Sequence, residues 1–437
     1  MTSTPNELIV IKPGWLIDGQ GGPPVQGHAV AIRGNRIIWC GPAEQADDPS
    51  GPVLGPDGSP DPRLLDLPTA TLLPGLIDCH THTNMPGDGR RGEDVISDSD
   101  DVRLLRSAKN VERALVSGVT TLCDAGSWNR TAFSLKEGIR QGLVAGPRVL
   151  VAGRPVTVTG GHLWYMGGEA DGPEEVRQRV RTLIKEGADF IKVIASGGST
   201  LTSDPYRPSL TVEELKAATA EAHGRNRPVS AHCRSTVAIN NALDAGVDVI
   251  FHCAFYEPDE SYRYDQATAE RLAEGTTWVN PTLYLGTFRR IQLRGKRDRG
   301  ELTGEEAVVL ERLEGNEGYR KDQFGRLIEM GVKFVGGSDC GWGSYPFGDF
   351  QGELLALNDM GLSPMQSILA GTRDNATAMR VSDSTGTIET GKAADLLLVE
   401  GNPVEDIAAL RRVLSVFHEG SWAAGSKLPR PKITNNI

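Results

Sequence analysis

A chain of 437 residues with 39% hydrophobic and 24% charged residues has room for one large α/β barrel or two to three ordinary domains. Its formal net charge of −11 argues against a nucleic-acid binder and against attachment to an anionic membrane. The opening MTSTPNELIVIKPG lacks a basic n-region and a sustained apolar core, and no apolar run approaches the length of a membrane-spanning helix. Six cysteines without CxxC spacing make no disulfide framework, so a reduced, cytoplasmic protein is expected.

In chain order, the first zone covers residues 1–70 and is strand-like, broken by Gly and Pro. ELIVIKPGWLIDG and HAVAIRGNRIIWCG read as hairpin material with RGNR as the turn. GPAEQADDPSGPVLGPDGSPDPR reads as exposed loop. From residue 71 to 385 apolar runs alternate with helical segments, the runs ending near residues 80, 124, 152, 195, 232, 252, 282 and 338. TVEELKAATAEAHG opens with a capping box, Thr211 with Glu214, and EEVRQRVRTLIKEGA is amphipathic and stops at a glycine. Eight strands alternating with helices predict an α/β fold, a (β/α)8 TIM-like barrel; no GxGxxG follows a strand, which disfavours a doubly wound sheet. Residues 386–437 return to short strands and glycine turns, so 1–70 and 386–437 are expected to form one composite β-sandwich domain beside the barrel.

Catalytic residues of such barrels gather at the C-terminal ends of strands. Of eight histidines, His80 and His82 end the first predicted strand, His232 the fifth and His252 the sixth, and Asp339 ends the eighth. A spacing of two puts His80 and His82 on one face of a strand. Each residue alone has a structural explanation, and His28, His223 and His418 are left to it. The joint pattern instead points to a divalent first-row metal. Lys192 interrupts the buried run DFIKVIASGG; taken alone, it would reach out at a strand end or pair with a carboxylate. Cys79, Cys233, Cys253 and Cys340 adjoin proposed ligands, and alternation points them away, toward the surrounding helices, as small apolar packing.

LPGLIDCHTH, GADFIKVIASGG, AHC followed by AGVDVIFHC, GSDCG and the tail GTIETGKAADLLLVEGNP match one family in order and spacing. On these motifs the chain is identified as a member of the amidohydrolase superfamily, in the branch related to imidazolonepropionases and prolidase-like dipeptidases. The resemblance covers nearly the whole chain. It implies that His80, His82 and Asp339 bind one metal and His232 and His252 the other. Lys192 would bridge them as an N-carboxylated side chain carrying a CO2-derived carbamate. Burial beside two dications favours the neutral amine, which can add CO2. The metals implied are zinc foremost, or cobalt, manganese or iron. A water shared by two metals is acidified to the nucleophile, and Asp339 shuttles its proton. The sequence departs from the branch at FHCAF, where a glutamate before the histidine and a glycine after it are usual; this puts dipeptide specificity in doubt.

After the third predicted strand, His162 follows two glycines, and it either touches substrate or caps its own turn. Trp128, Trp164, Tyr165, Tyr284 and Trp342 fall in predicted mouth loops. They are either loop anchors or the wall for an apolar or aromatic part of a small-molecule substrate. The expected reaction is cleavage of a C–N bond in an N-acyl amino acid, dipeptide or related amide. The alternative is a carbamate or phenylurea of the herbicide type. A mononuclear deaminase carries a glutamate two residues after the strand-five histidine, where Arg234 stands here. A non-catalytic scaffold would have lost ligands, and all six are present. Similar proteins are commonly homo-oligomers, and the same is expected here.

Overall fold

The apolar first zone folds as strands β1 (Leu8–Leu16), β2 (His28–Arg33), β3 (Arg36–Pro42) and β4 (Arg63–Pro74). The computed structural model describes residues 7–46, 48, 53 and 62–423. RGNR makes the hairpin turn, with Arg33 opposite Arg36 and Gly34 at a φ of 56°, a conformation that favours glycine. In the loop-like stretch that follows, Ala43–Ala46 is one helical turn; most of the rest lies outside the described residues.

The middle zone supplies the parallel strands β5 (Leu76–Thr81), β6 (Val119–Asp124) and β7 (Arg148–Val151) in one sheet. A second parallel sheet holds β8 (Ile191–Ile194), β9 (Val229–Ser235), β10 (Val249–Tyr256) and β11 (Trp278–Asn280). Both sheets are almost wholly buried, as their uninterrupted apolar runs require. Backbone hydrogen bonds continue the pairing from β7 to β8, Val156 N–H to Lys192 O at 2.8 Å and Ile194 N–H to Val156 O at 2.9 Å. Residues 333–340 run between β11 and β5. Val335 N–H donates to Val279 O (3.0 Å) on one side, and Asp339 N–H donates to His80 O (2.7 Å) on the other.

The eighth predicted strand is therefore present as hydrogen-bonded backbone but not as a regular strand. Two consecutive glycines, Gly336 and Gly337, and a left-handed Asp339 (φ 57°) break its pleat. Asp78 secures this segment to β5: its buried carboxyl accepts from Ser338 Oγ (2.5 Å), Ser338 N–H (2.9 Å) and His80 N–H (3.2 Å). Burial pushes that carboxyl up to about 7.

Helices fill the connections. The capping box forms as expected, Glu214 N–H to Thr211 Oγ1 at 3.2 Å, at the start of Val212–His223. Gly172–Glu186 ends at Gly187, whose φ is 106°. Among the described residues no helix is long and apolar enough to cross a membrane.

The last zone adds β12 (Leu396–Glu400), β13 (Val413–His418) and β14 (Ser421–Trp422). They join the first zone in a seven-stranded sheet of order β14-β13-β12-β4-β1-β2-β3. An ion-pair network ties this sheet to the parallel strands. Arg148, at the start of β7, donates to Asp395 (2.8 Å) and to Glu419 (2.9 Å), and His418 Nδ1 lies 2.9 Å from Asp395 Oδ1. Burial alone would raise the Asp395 carboxyl. The His418 hydrogen bond and the Arg148 charge overcome it and hold the carboxyl at about 2, below its ordinary 3.8. A depressed carboxyl stabilises the fold above its unfolded-state value and loses that contribution as pH falls through the folded-state value. Asp395→Asn is expected to cost on the order of 2 kcal/mol at neutral pH. In urea unfolding between pH 6 and 3, the gap to wild type should begin to close below about pH 4. A gap constant across that range would remove the network as its cause.

Candidate metal centre

The C-terminal ends of the parallel strands bring the predicted residues together. His80 and His82 come from the end of β5, Lys192 from β8, His232 from β9, His252 from β10 and Asp339 from the segment between β11 and β5. All six line one cavity of about 340 Å³. His80, His252 and Asp339 each offer a ligand atom, all within 4.8 Å of one another. Asp339 Oδ1 lies 3.3 Å from His82 Nε2 and 3.6 Å from His80 Nε2. Lys192 Nζ lies 3.4 Å from His80 Nε2 and 4.0 Å from the centre of the Phe251 ring, which also stacks on His80 at 3.8 Å. The His232 and His252 rings are 4.5 Å apart. Backbone strain concentrates here: His252 has a φ of 70° and Asp339 of 57°, costly for non-glycine residues and sustained by the surrounding packing.

The hydrogen bonds set which nitrogen of each ring is free. His82 Nδ1 faces Gly126 O at 3.0 Å and His232 Nε2 faces Gly197 O at 3.1 Å. A carbonyl only accepts, so His82 carries its proton on Nδ1 and His232 on Nε2. That leaves Nε2 of His82 and Nδ1 of His232 as ligand atoms. His80 Nδ1 approaches Asn280 Oδ1 (3.1 Å), and His252 Nδ1 approaches Thr282 Oγ1 (2.7 Å). Burial holds His80, His232 and His252 well below the usual imidazole range, and the Lys192 charge adds to it. A neutral His80 then turns a lone pair toward a carboxylate oxygen, an arrangement that a cation between them would stabilise. Lys192 is 1% exposed and, among the described residues, has no carboxylate within ion-pair distance. Burial pulls its amine down to about 7. The donor set fits divalent metal ions.

His162 also lines the cavity, 4.7 Å from the His232 ring, with Nδ1 2.8 Å from Thr200 Oγ1. A Cβ on Gly198 would stand 2.5 Å from the His162 ring, so Gly198→Ala is expected to displace His162 and lower turnover while leaving bound metal unchanged. Loss of metal together with turnover would show that the change acts on the whole centre. Trp342 is the one predicted aromatic in the cavity wall, 5.8 Å from His82 and 5.9 Å from His162.

The other aromatics do not line it. Trp128 and Tyr165 stack at 5.4 Å, Trp164 meets Tyr165 edge-on, and this group belongs to an apolar cluster against which Trp342 also packs. Tyr284 turns to Phe288, Tyr345 and Arg411. Trp128, Trp164 and Tyr165 thus pack on one another, and Tyr284, in the first turn of helix Leu283–Asp298, packs on its own aromatic neighbours. Cys233, Cys253 and Cys340 pack in the main apolar core as expected. Cys79 lies in a separate cluster with Leu150, Phe190 and Phe251, which also takes in Ala378 of helix Arg373–Ala378, near the point where the β5–β6 register shifts between Asp78 and Thr81.

Several lining residues were not singled out from the sequence. Arg234, Tyr256, Tyr262, Arg320 and Gln323 face the cavity. Among the described residues neither Arg234 nor Arg320 has a carboxylate within ion-pair distance, although the Glu353 carboxyl acts on Arg320 from farther off. Arg234 Nε, Tyr262 Oη and Gln323 Oε1 are buried without any hydrogen bond. Arg234 carried a readable signal, since it lies two residues beyond His232 on the same strand. Arg320 comes from helix Glu317–Glu329 and had none.

The chain belongs to the amidohydrolase family, the metal-dependent hydrolases of carbon–nitrogen bonds: the model described as "Amidohydrolase family" matches residues 71–423. Among curated proteins it is 28% identical to the ochratoxinase of Aspergillus niger, over 98% of this chain and 88% of that one. A crystal structure of a Xaa-Pro dipeptidase with bound methionine in the active site superposes with a TM-score of 0.80. It is 28% identical and covers 95% of this chain and 99% of that chain. Phenylurea hydrolase B shares the fold, with a TM-score of 0.77 at 21% identity over 96% of this chain and 97% of its own.

Proposed function

We propose that this protein is a binuclear metal hydrolase that cuts the amide bond of an N-acyl amino acid or dipeptide bearing a free carboxylate. One observation carries the reading. A single cavity has the six proposed ligands converging on it and is lined by Arg234, Arg312 and Arg320, none of which is within ion-pair distance of a carboxylate among the described residues. A half-buried guanidinium without a counter-ion is incompletely compensated, and an anionic substrate group would supply the missing charge. The ochratoxinase and dipeptidase relatives support an amide substrate. In this reading the ring of parallel pairings is a closed (β/α)8 barrel, and residues 1–70 with 386–437 form a separate β-sandwich domain.

His80, His82 and Asp339 would hold one divalent ion, His232 and His252 the other, with carboxylated Lys192 between them. When bound, such ions acidify water and polarise a carbonyl. Arg234 and Arg320 seat the carboxylate, and Trp342 covers the apolar part of the substrate. His162 contacts the scissile amide. Asp339 takes the proton of the attacking water and passes it to the leaving nitrogen.

Metal analysis should give about two ions per chain. A screen of metal-loaded protein should show turnover of N-acyl amino acids and dipeptides, and little of their carboxamide-capped forms. Arg234→Ala should raise KM for the free acids about 30-fold, the effect of ~2 kcal/mol lost from a charge-assisted hydrogen bond, and leave capped substrates unchanged. Carbamates and phenylureas have no carboxylate for these arginines; preferential turnover of either would replace the proposal.

A further inference from the structure

The ligand sets of the two proposed metal ions are each held, through one histidine, by the same short turn. Asn280 ends β11, Thr282 follows two residues later, and both are buried. Asn280 Oδ1 meets the outer nitrogen of His80, and Thr282 Oγ1 meets that of His252. Bond accounting decides the direction of each contact. The Thr282 hydroxyl has one proton, and toward Pro281 O, 2.8 Å away, it can only donate; with its proton there, Oγ1 accepts from His252 Nδ1. The Asn280 amide donates through Nδ2 to Gly337 O at 2.9 Å, which turns its oxygen toward His80. In this arrangement both imidazoles carry their proton on Nδ1 and present a bare Nε2.

The turn is itself pinned. Thr282 is left-handed (φ 49°), Glu353 accepts from the N–H groups of Leu283 (3.0 Å) and Tyr284 (2.7 Å), and Arg320 donates to Pro281 O (3.0 Å). A Cβ at Gly337 would stand 2.7 Å from both Asn280 Oδ1 and His80 Cβ, so glycine is what lets the amide reach the ring.

We infer that Asn280 and Thr282 are positioning residues that fix the tautomers of His80 and His252, so one rigid turn sets one ligand of each of the two metal ions. The inference rests on the binuclear reading above. The test uses the full chain with histidine labelled in 15N and zinc titrated against a chromophoric chelator. In the metal-free wild type, the nitrogen shifts of His80 and His252 should show a protonated Nδ1. Thr282→Val, close to isosteric, should weaken one of the two zinc ions by about 10–100-fold and hold the other within a few-fold. It should also mix the His252 tautomers. Thr282→Ser, which keeps the hydroxyl, should restore both readouts, as a purely structural role would not require. Asn280→Asp keeps the acceptor and should preserve the His80 tautomer. A protonated Nε2 on either ring in the wild type, or unchanged zinc affinity in Thr282→Val, overturns the inference while leaving two bound ions intact. A wild type that binds no zinc overturns the binuclear reading, and the inference with it.

Discussion

Lys192→Ala is expected to lose at least one bound metal ion and to lower turnover by well over about 100-fold, more than the loss of an outer-shell partner costs. The side chain is buried at the base of the cavity with no carboxylate beside it, and burial pulls its amine down to about 7. A plain ammonium there is poorly compensated, since its near neighbours are the His80 ring nitrogen and the Phe251 face. A carbamate would supply two oxygens and a negative charge among four imidazoles. Short carboxylic acids, added to the alanine variant, should restore part of both metal and activity by occupying the vacated space. Lys192→Arg provides the contrast. Its guanidinium stays charged and cannot add CO2, so neither metal nor rescue is expected. Full metal content and normal turnover in Lys192→Ala would eliminate the bridging role.

Asp339→Asn should fold normally and lose turnover by about 100- to 10,000-fold, the range attributable to a positioned acid–base group. Its carboxylate is 5% exposed and lies within 3.6 Å of two histidine nitrogens. The amide occupies nearly the same volume, so packing is conserved, but it cannot accept and return a proton. Asp339 is also a proposed ligand, and the two roles separate on metal content. Lost turnover with both ions retained isolates the proton transfer; lost turnover with lost metal assigns the effect to ligation. A near-wild-type rate would rule out the shuttle.

The ligands were legible because strand alternation and strand ends are written locally. His80 and His82 are two residues apart, and His232 and His252 each close an apolar run. The structure brings them into one cavity. The turn RGNR and the box Thr211–Glu214 are likewise local and formed as read. What was not legible depends on contacts between distant segments. Arg320 reaches the cavity from a helix whose sequence gives no sign of its inward face. Trp128 and Tyr165 meet each other, not the cavity, because two loops far apart in sequence settle against one another. Cys79 falls in a different cluster from the other three ligand-flanking cysteines, at the end of β5 where its register with β6 shifts, and such a shift is not written in the local sequence.

The strand order of the mixed sheet also has a consequence for biosynthesis. β4 pairs on one side with β1 and on the other with β12, about 320 residues later in the chain. As the polypeptide leaves the ribosome, the hydrophobic edge of β4 stays unpaired until that last segment emerges. During that interval it is a template for strands of other nascent chains. Expression should therefore depend on elongation and chaperone supply more than the stability of the finished protein implies. Deletion of residues 396–422 should give aggregates, not a smaller folded domain.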